Sequence, residues 1–271
     1  MTTSGLLAFL LLSACAVTGN LNFVNRAFDR AQLPTYDLTR FLEDSTRCAV
    51  VFADHESGKT VQIPDLWKQI WNNASLRYCI DLGADRIVHQ RMNMRLPTKI
   101  TGKLGRMEPE TRDFLERKKT LFEETYDEDE SSTVSALKTL AKENLNATDT
   151  VILLGGFSGR FDRLLANLNA LMLANTLLPV PTVALQGKNV ITVLPEGDLA
   201  IKVDRTMVGG KSGFAPIAQT KTMVSTRGFK WNLRDEEMMF GAKISTSNEL
   251  ESDLLEFNTT APIVLAIVMK N

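Results

Sequence analysis

The sequence predicts an α/β fold: an N-terminal Rossmann-like domain with a parallel sheet over residues 21–178, followed by a C-terminal antiparallel β-sandwich over residues 179–271. Two observations support this prediction. Before residue 178, apolar runs typical of buried strands alternate with the periodicity of amphipathic helices, which is the pattern of a parallel sheet. After residue 178, short strand-like runs are separated by Gly and Pro turns, and no long helical pattern follows, as in antiparallel β-domains.

The first part contains apolar runs for two strands and periodic segments for four helices. The clearest strand lies between Asp149 and a Gly-Gly pair, and a Leu-rich helix follows it. Pro109 suits the first turn of another helix. The predicted elements are the strands Cys48–Ala53 and Thr150–Leu154 and the helices Leu66–Cys79, Pro109–Lys118, Ser132–Lys142 and Arg160–Leu178.

The second part begins with three short runs of strand-forming residues, Thr182–Leu185, Asn189–Leu194 and Leu199–Val203. Gly187 and the segment 195–198 separate them, and both are typical turn sequences. We therefore expect hairpins here, and a last strand over Pro262–Met269.

The overall composition is that of an ordinary globular protein, with 44% apolar residues, 23% charged residues and a net charge of -1. A nucleic-acid partner is not expected, because no basic excess is present. Cys15, Cys48 and Cys79 show no paired spacing, so neither a zinc site nor a disulfide framework is indicated. We expect surface or packing roles for His55 and His89.

The N-terminus contains a continuous run of apolar and small residues, Gly5–Val17. This run fits a signal peptide over residues 1–20 that ends in a small-residue cleavage site, although no Lys or Arg precedes it. An N-terminal extension packed on the domain would show the same pattern, so secretory and cytoplasmic locations both stay open. The run is too short to span a bilayer. Three glycosylation sequons permit a secretory route, at Asn73, Asn146 and Asn258.

A glycine-rich turn, Gly155–Asp162, joins the clearest strand to the Leu-rich helix. Glycines at such a turn let backbone N–H groups approach an anion at the positive end of the helix. Arg160 would add a phosphate clamp. Such turns are also common as purely structural connections. The turn alone therefore leaves two interpretations open, a phosphate-binding site and a structural connection.

Four motifs in register make the chain resemble the thiamine pyrophosphokinase family from Asp37 to Lys270. They are Asp81–Arg86, Gly155–Asp162, Thr226–Leu233 and Phe240–Asn248. The resemblance implies transfer of a pyrophosphoryl group from ATP to thiamine with Mg²⁺ as cofactor, in a homodimer whose subunits both contribute to the thiamine site. It also implies a cytoplasmic location.

The resemblance also implies roles for individual residues. The acids on the catalytic and metal side would be Asp81, Asp127 and Asp129. The nucleotide phosphates would be bound by Gly155, Gly156, Gly159, Arg160 and Asp162. Thiamine would be bound by Trp231, Ser245, Ser247 and Asn248, with the indole stacked on the cationic rings. A structural alternative stays open, in which Trp231 is a core aromatic and Ser245–Asn248 a capped turn.

The segment Gly102–Arg106 departs from the family pattern. Family members carry two aspartates in this block, and this chain has Lys103 and Gly105 at those positions. Two further departures are Ser132, in place of the aspartate that closes an acidic motif, and Arg163, in place of a glutamine. Because Mg²⁺ needs oxygen ligands, these replacements predict a damaged metal site.

Two functional hypotheses follow from these departures. In the first, the chain is an impaired thiamine pyrophosphokinase that uses ATP and Mg²⁺, with Asp81, Asp127 and Asp129 still holding an ion. A variant of it has Lys103 and Arg106 neutralise the phosphates with little or no metal. In the second, the chain is a non-catalytic thiamine-binding protein or a regulatory partner of an active relative.

Overall fold

The computed structural model describes residues 33–53 and 60–270, which form two β-sheets and six α-helices. The strands of the first half are β1 (Thr35–Asp37), β2 (Cys48–Phe52), β3 (Leu76–Ile80), β4 (Lys99–Gly102), β5 (Leu121–Glu124) and β6 (Thr150–Leu154). Those of the second half are β7 (Thr182–Gln186), β8 (Asn189–Leu194), β9 (Gly197–Lys202), β10 (Val208–Pro216), β11 (Thr222–Arg227), β12 (Glu236–Met238), β13 (Ser245–Asn248), β14 (Leu254–Thr259) and β15 (Ile263–Met269). The helices are α1 (Arg40–Glu43), α2 (Asp65–Asn73), α3 (Gly83–His89), α4 (Pro109–Arg117), α5 (Ser132–Leu140) and α6 (Phe161–Leu177).

The larger sheet has ten strands in the order β13-β10-β15-β8-β7-β6-β2-β3-β4-β5. The strands from β5 to β7 pair in parallel, and β8, β15, β10 and β13 continue the same sheet with antiparallel pairing. The chain leaves β2 towards β5 on one side and returns to β6 on the other. The carboxyl ends of β2 and β6 therefore flank a topological switch point, where α/β sheets usually bind ligands.

The smaller sheet has five strands in the order β1-β9-β14-β11-β12 and faces the antiparallel half of the larger sheet. Three buried phenylalanines join the two layers at centroid distances of 5.4–5.7 Å: Phe214 on β10, Phe257 on β14 and Phe229 after β11. The two pairs that include Phe257 are edge-to-face, an arrangement that stabilises a core beyond its buried area. The structure thus confirms the predicted fold class, an α/β parallel sheet with an antiparallel sandwich.

Most of the predicted elements are confirmed, including β2, α4, α5, α6, β15 and β6, whose bounds match the prediction. The prediction of one helix over Leu66–Cys79 is wrong in its second half. Helix α2 ends at Asn73, Ala74 has an extended ψ of 142°, and Leu76–Ile80 is the buried strand β3. Tyr78 lies four residues after Ala74, so a strand residue happened to extend the helical spacing.

The expected hairpins are confirmed only in part. Strands β7 and β8 form an antiparallel hairpin, but β8 and β9 lie in different sheets, because the chain crosses from one layer of the sandwich to the other. Since β7 also pairs in parallel with β6, the larger sheet runs without a break across residue 178. The domain boundary at that residue stays a prediction.

Some of the sequence predictions concern residues outside the described ranges. They are the signal peptide or extension over residues 1–20, Cys15 and His55. Within residues 33–53 and 60–270, no helix has the length and apolar character needed to cross a membrane.

Candidate active site

A polar pocket lies at the carboxyl ends of β3 and β4, beside the N-termini of α5 and α6. Parallel strands place the residues that follow them at one edge of the sheet, so Asp81 and Lys103 meet there although they are distant in sequence. The pocket has a volume of about 150 Å³. It is lined by Asp81, Lys103, Arg106, Glu130, Ser131, Ser132, Thr133, Arg163, Ala166 and Asn167.

Asp81 forms the buried floor of this pocket, with 1% of its surface exposed. Its backbone has a φ of 40°, an uncommon left-handed value for a residue other than glycine. Ser132 Oγ donates a hydrogen bond to Asp81 Oδ2 at 2.5 Å, and the Arg106 guanidinium lies 3.8 Å from the same oxygen. Asp81 Oδ1 is buried without a hydrogen-bond partner within the described part of the chain.

Gly102 packs directly on Asp81. Its φ is +111°, and a Cβ atom built at this position would lie 2.2 Å from Asp81 Oδ1. Only glycine satisfies both the backbone conformation and the close approach. The segment Gly102–Arg106 therefore lies beside Asp81 and places two basic side chains, Lys103 and Arg106, in the pocket.

The acidic loop before α5 does not bring its aspartates into the pocket. Asp127 Oδ1 accepts a hydrogen bond from the backbone N–H of Asp129 at 3.0 Å, a local turn. The Lys103 ammonium donates to the carbonyl oxygen of Glu128 at 3.0 Å and fastens the loop. Only Glu130 of this acidic run lines the pocket, and its carboxylate forms an ion pair with Lys138.

Asn167 connects the pocket to the glycine-rich turn, a role that has no signal in the sequence. Thr133 Oγ1 donates to Asn167 Oδ1 at 2.6 Å, and Asn167 Nδ2 donates to the carbonyl oxygen of Gly156 at 2.5 Å. Gly156 has a φ of +87°, and a Cβ there would lie 2.7 Å from Asn167 Nδ2. This buried amide thus fixes the start of α5, the first turns of α6 and the turn after β6 relative to one another.

The remaining residues of the turn are placed apart from this pocket. Gly155 and Gly159 also have positive φ values of 82° and 81°. Arg160 forms an exposed ion pair with Asp162 at 2.5 Å, and this hydrogen bond holds the pKa of Asp162 below its usual value. From the first turn of α6, Arg163 enters the pocket.

The pocket residues do not fit a divalent metal. Within residues 33–53 and 60–270, no three His, Cys, Asp or Glu side chains are grouped so that they could hold an ion. Asp81, Asp127 and Asp129, the expected metal-side acids, do not form such a group. Asp81 offers one unpartnered oxygen, which packs against Gly102, and three cationic side chains share its pocket. Mg²⁺ requires a near-octahedral set of oxygens, usually from one or two carboxylates together with substrate phosphates, and the neighbouring cations weaken its binding to the one carboxylate available here.

The C-terminal motifs meet at Trp231. The buried Asn248 clamps this residue, because Asn248 Oδ1 accepts from the Trp231 N–H at 3.2 Å and Asn248 Nδ2 donates to the Trp231 carbonyl at 2.9 Å. The indole is 53% exposed, and the Lys230 ammonium lies 4.8 Å from its ring centroid. Trp231 is therefore not a core residue, and its ring already attracts a cation.

The side chain of Asn248 is buried, with 2% of its surface exposed, and its amide is bound to backbone groups of Trp231 and Glu249. The amide thus positions Trp231, and direct binding of thiamine by Asn248 stays a prediction. Ser247 is exposed, with a φ of 58°, and Ser245 is half-buried.

Two family models match the chain. The catalytic-domain model of thiamin pyrophosphokinase matches residues 67–180, and the vitamin B1 binding-domain model of thiamin pyrophosphokinase matches residues 198–264. The chain belongs to the thiamine pyrophosphokinase family. Within this family the polar pocket falls in the catalytic region, and Trp231 and Asn248 fall in the vitamin-binding region.

Relatives in this family support the assignment over most of their length. A thiamin pyrophosphokinase from Caenorhabditis elegans is 24% identical over 85% of this chain and 93% of that protein. One from Oryza sativa is 25% identical over 77% of this chain and 84% of that protein. Two solved structures share the fold. Thiamin pyrophosphokinase from Candida albicans has a TM-score of 0.75 and 15% sequence identity, and the match covers 88% of this chain and 93% of that chain. Yeast thiamin pyrophosphokinase has a TM-score of 0.73 and 17% sequence identity, and the match covers 91% of this chain and 95% of that chain.

Proposed function

We propose that this chain binds thiamine and transfers a pyrophosphoryl group from ATP to its hydroxyl, giving thiamine diphosphate and AMP, at a strongly reduced rate. Family membership supports the reaction class, and the pocket around Asp81 carries the proposal of a reduced rate. Lys103 stands there at a position where the family has an aspartate, and Ser132 stands at another.

In this proposal Trp231 stacks on thiamine. An indole face is the strongest side-chain partner for a flat cation, and the Asn248 clamp fixes the backbone from which the ring projects. Lys230 would leave the ring face and keep its 2.9 Å ion pair with Glu249. The exposed hydroxyl of Ser247 would add a hydrogen bond to the aminopyrimidine.

The nucleotide phosphates would lie between the glycine-rich turn and the pocket around Asp81. The backbone N–H groups at the starts of α5 and α6 favour negative charge. Lys103 and Arg106 bind and neutralise phosphate oxygens, but they do not align the attacking and leaving oxygens as a metal bound to several carboxylates would. Losing one well-placed electrostatic group commonly lowers a rate by about two to three orders of magnitude.

The proposal includes a homodimer, on the family resemblance. Apolar side chains of the C-terminal motifs are exposed in the single chain: Trp231, Met239, Phe240 at 67% and Ile244. Exposed apolar groups of this kind are typical of surfaces that bind a partner or ligand. A second subunit would cover them and complete the thiamine site.

The test is a titration of the purified protein with thiamine, followed by an assay of AMP release from ATP. We expect micromolar thiamine binding and slow AMP release. Trp231→Ala should weaken thiamine binding by about 10-fold or more, while Met92→Ala, which truncates an apolar side chain that is 93% exposed in another region, should not. Absence of thiamine binding, or turnover equal to that of the Caenorhabditis elegans relative, would refute the proposal.

A second candidate function is thiamine binding without catalysis. The hydrogen bond from Ser132 to Asp81 favours it, because this bond uses one of the two carboxylate oxygens with which Asp81 would hold a metal. Thiamine binding with no AMP above the level of a Trp231→Ala control would select this candidate over slow catalysis.

A further inference from the structure

We infer that the pocket around Asp81 binds a polyphosphate anion without a divalent metal. The inference concerns the same site as the proposed function and specifies how that site holds its phosphates. It does not require that any transfer takes place, and it depends on the charges, donors and contacts of the pocket itself.

The charge balance of the pocket is positive. Its lining contains three cationic side chains and two carboxylates: Lys103, Arg106, Arg163, Asp81 and Glu130. The Glu130 carboxylate is neutralised by Lys138. With Arg163 left out of the balance, Lys103 and Arg106 still exceed the single charge of Asp81. This net positive charge attracts an anion and repels a divalent cation, the reverse of a magnesium site.

The basic side chains have donors left for a ligand. The Lys103 ammonium has three N–H donors, and the contact with Glu128 uses one. Within the described part of the chain, Arg106 makes only the 3.8 Å ion pair with Asp81, so its planar fork of N–H groups can bind phosphate oxygens in a bidentate manner. The N-terminus of α5 adds the positive end of its dipole to the same pocket.

Protein groups alone contact Asp81 in this pocket. In a site built for a metal, Asp81 would be held in place by the ion. Here the Ser132 hydroxyl and the Arg106 guanidinium contact Asp81 Oδ2 instead, and Gly102 closes over Oδ1. The carboxylate therefore serves to orient Arg106, and the two basic residues take over the charge neutralisation of the phosphates.

The test uses inorganic pyrophosphate as the probe, titrated calorimetrically into the full chain in EDTA and again in Mg²⁺. We expect binding in EDTA with a Kd within about threefold of the value in Mg²⁺. Lys103→Ala and Arg106→Ala should each weaken binding in EDTA by about 10-fold. Arg117→Ala, which removes an exposed basic side chain outside the pocket, should leave it unchanged. Binding only in Mg²⁺, no binding in either buffer, or equal effects of all three variants would overturn the inference.

A second variant controls for loss of folding. Lys103→Asp exchanges the cation for the carboxylate that the family resemblance implies at this position, on a half-buried side chain, and circular dichroism checks that the fold is kept. We expect pyrophosphate binding to become dependent on Mg²⁺, whereas binding that still ignores the metal would contradict the role of Lys103. The titration measures only pyrophosphate binding, and neither thiamine binding nor turnover. If the proposed transfer reaction is not found, the conclusion on metal-free pyrophosphate binding therefore still stands or falls on this titration alone.

Discussion

Replacing Gly102 by alanine tests the contact between the loop Gly102–Arg106 and Asp81. The new Cβ atom would lie 2.2 Å from Asp81 Oδ1, and the backbone φ of +111° is one that alanine rarely adopts. The strained φ alone costs roughly 1–3 kcal/mol. The steric contact adds to this cost, because the carboxylate it would displace is buried and hydrogen-bonded to Ser132. We expect a loss of about 3 kcal/mol or more in the free energy of unfolding.

Substitutions at two other glycines separate the cost of the strained backbone φ from the cost of the steric contact. Gly197 has a similar φ of +109° with no atom within 4 Å of the position that a Cβ would take, and Gly105 has open space around it without a positive φ. In urea unfolding followed by circular dichroism, Gly197→Ala should show the backbone cost alone. Gly105→Ala should change the stability by no more than about 1 kcal/mol. If Gly102→Ala were no less stable than Gly197→Ala, the loop would not pack on Asp81 as described.

Three further predictions concern other parts of the molecule. Asn248→Ala should lower the free energy of unfolding by about 1–3 kcal/mol and weaken thiamine binding, because Trp231 loses its clamp; unchanged binding in calorimetry would contradict that role. The hydrogen bond from Tyr78 lowers the pKa of Glu143 below its usual 4.5, so this stabilisation is present above about pH 4.5 and is lost as the pH falls. In urea unfolding, the difference in the free energy of unfolding between the wild type and Glu143→Gln should therefore shrink from pH 7 to pH 3. A difference that stays constant over this range would contradict the role of this hydrogen bond. Burial raises the pKa of Cys48 to about 12. Mass spectrometry should therefore find Cys48 unlabelled by iodoacetamide at pH 8 in the folded chain and labelled once the chain is unfolded. Labelling in the folded chain would contradict this prediction.

The elements that the sequence predicted well have unambiguous local signals. Strand β6 is a run of five buried residues between Asp149 and Gly155, and α6 is long enough for its apolar pattern to be decisive. Short or exposed strands such as β5 and β13 carry no such signal, since their residues are not sorted into a buried and a solvent-facing set. Their strand conformation depends on partners distant in sequence.

The candidate site was predictable to the extent that its chemistry is local. Lys103, where the family resemblance implies an aspartate, is visible in the sequence, and the structure places it in the pocket with Asp81. The role of Asn167 was not visible, because it depends on contacts with Thr133 and Gly156, which only the fold brings together. The same holds for Asn248, whose amide binds the backbone of a residue 17 positions away.

The most direct test of the account compares AMP release by the wild-type chain with that by a Lys103→Asp/Gly105→Asp variant, in ATP, thiamine and Mg²⁺. The variant introduces both family carboxylates, and Gly105 has open space for its new side chain. We predict slow release of AMP by the wild type and a gain of about 100-fold in the variant. Fast release by the wild type that is lost when the two carboxylates are introduced would contradict it.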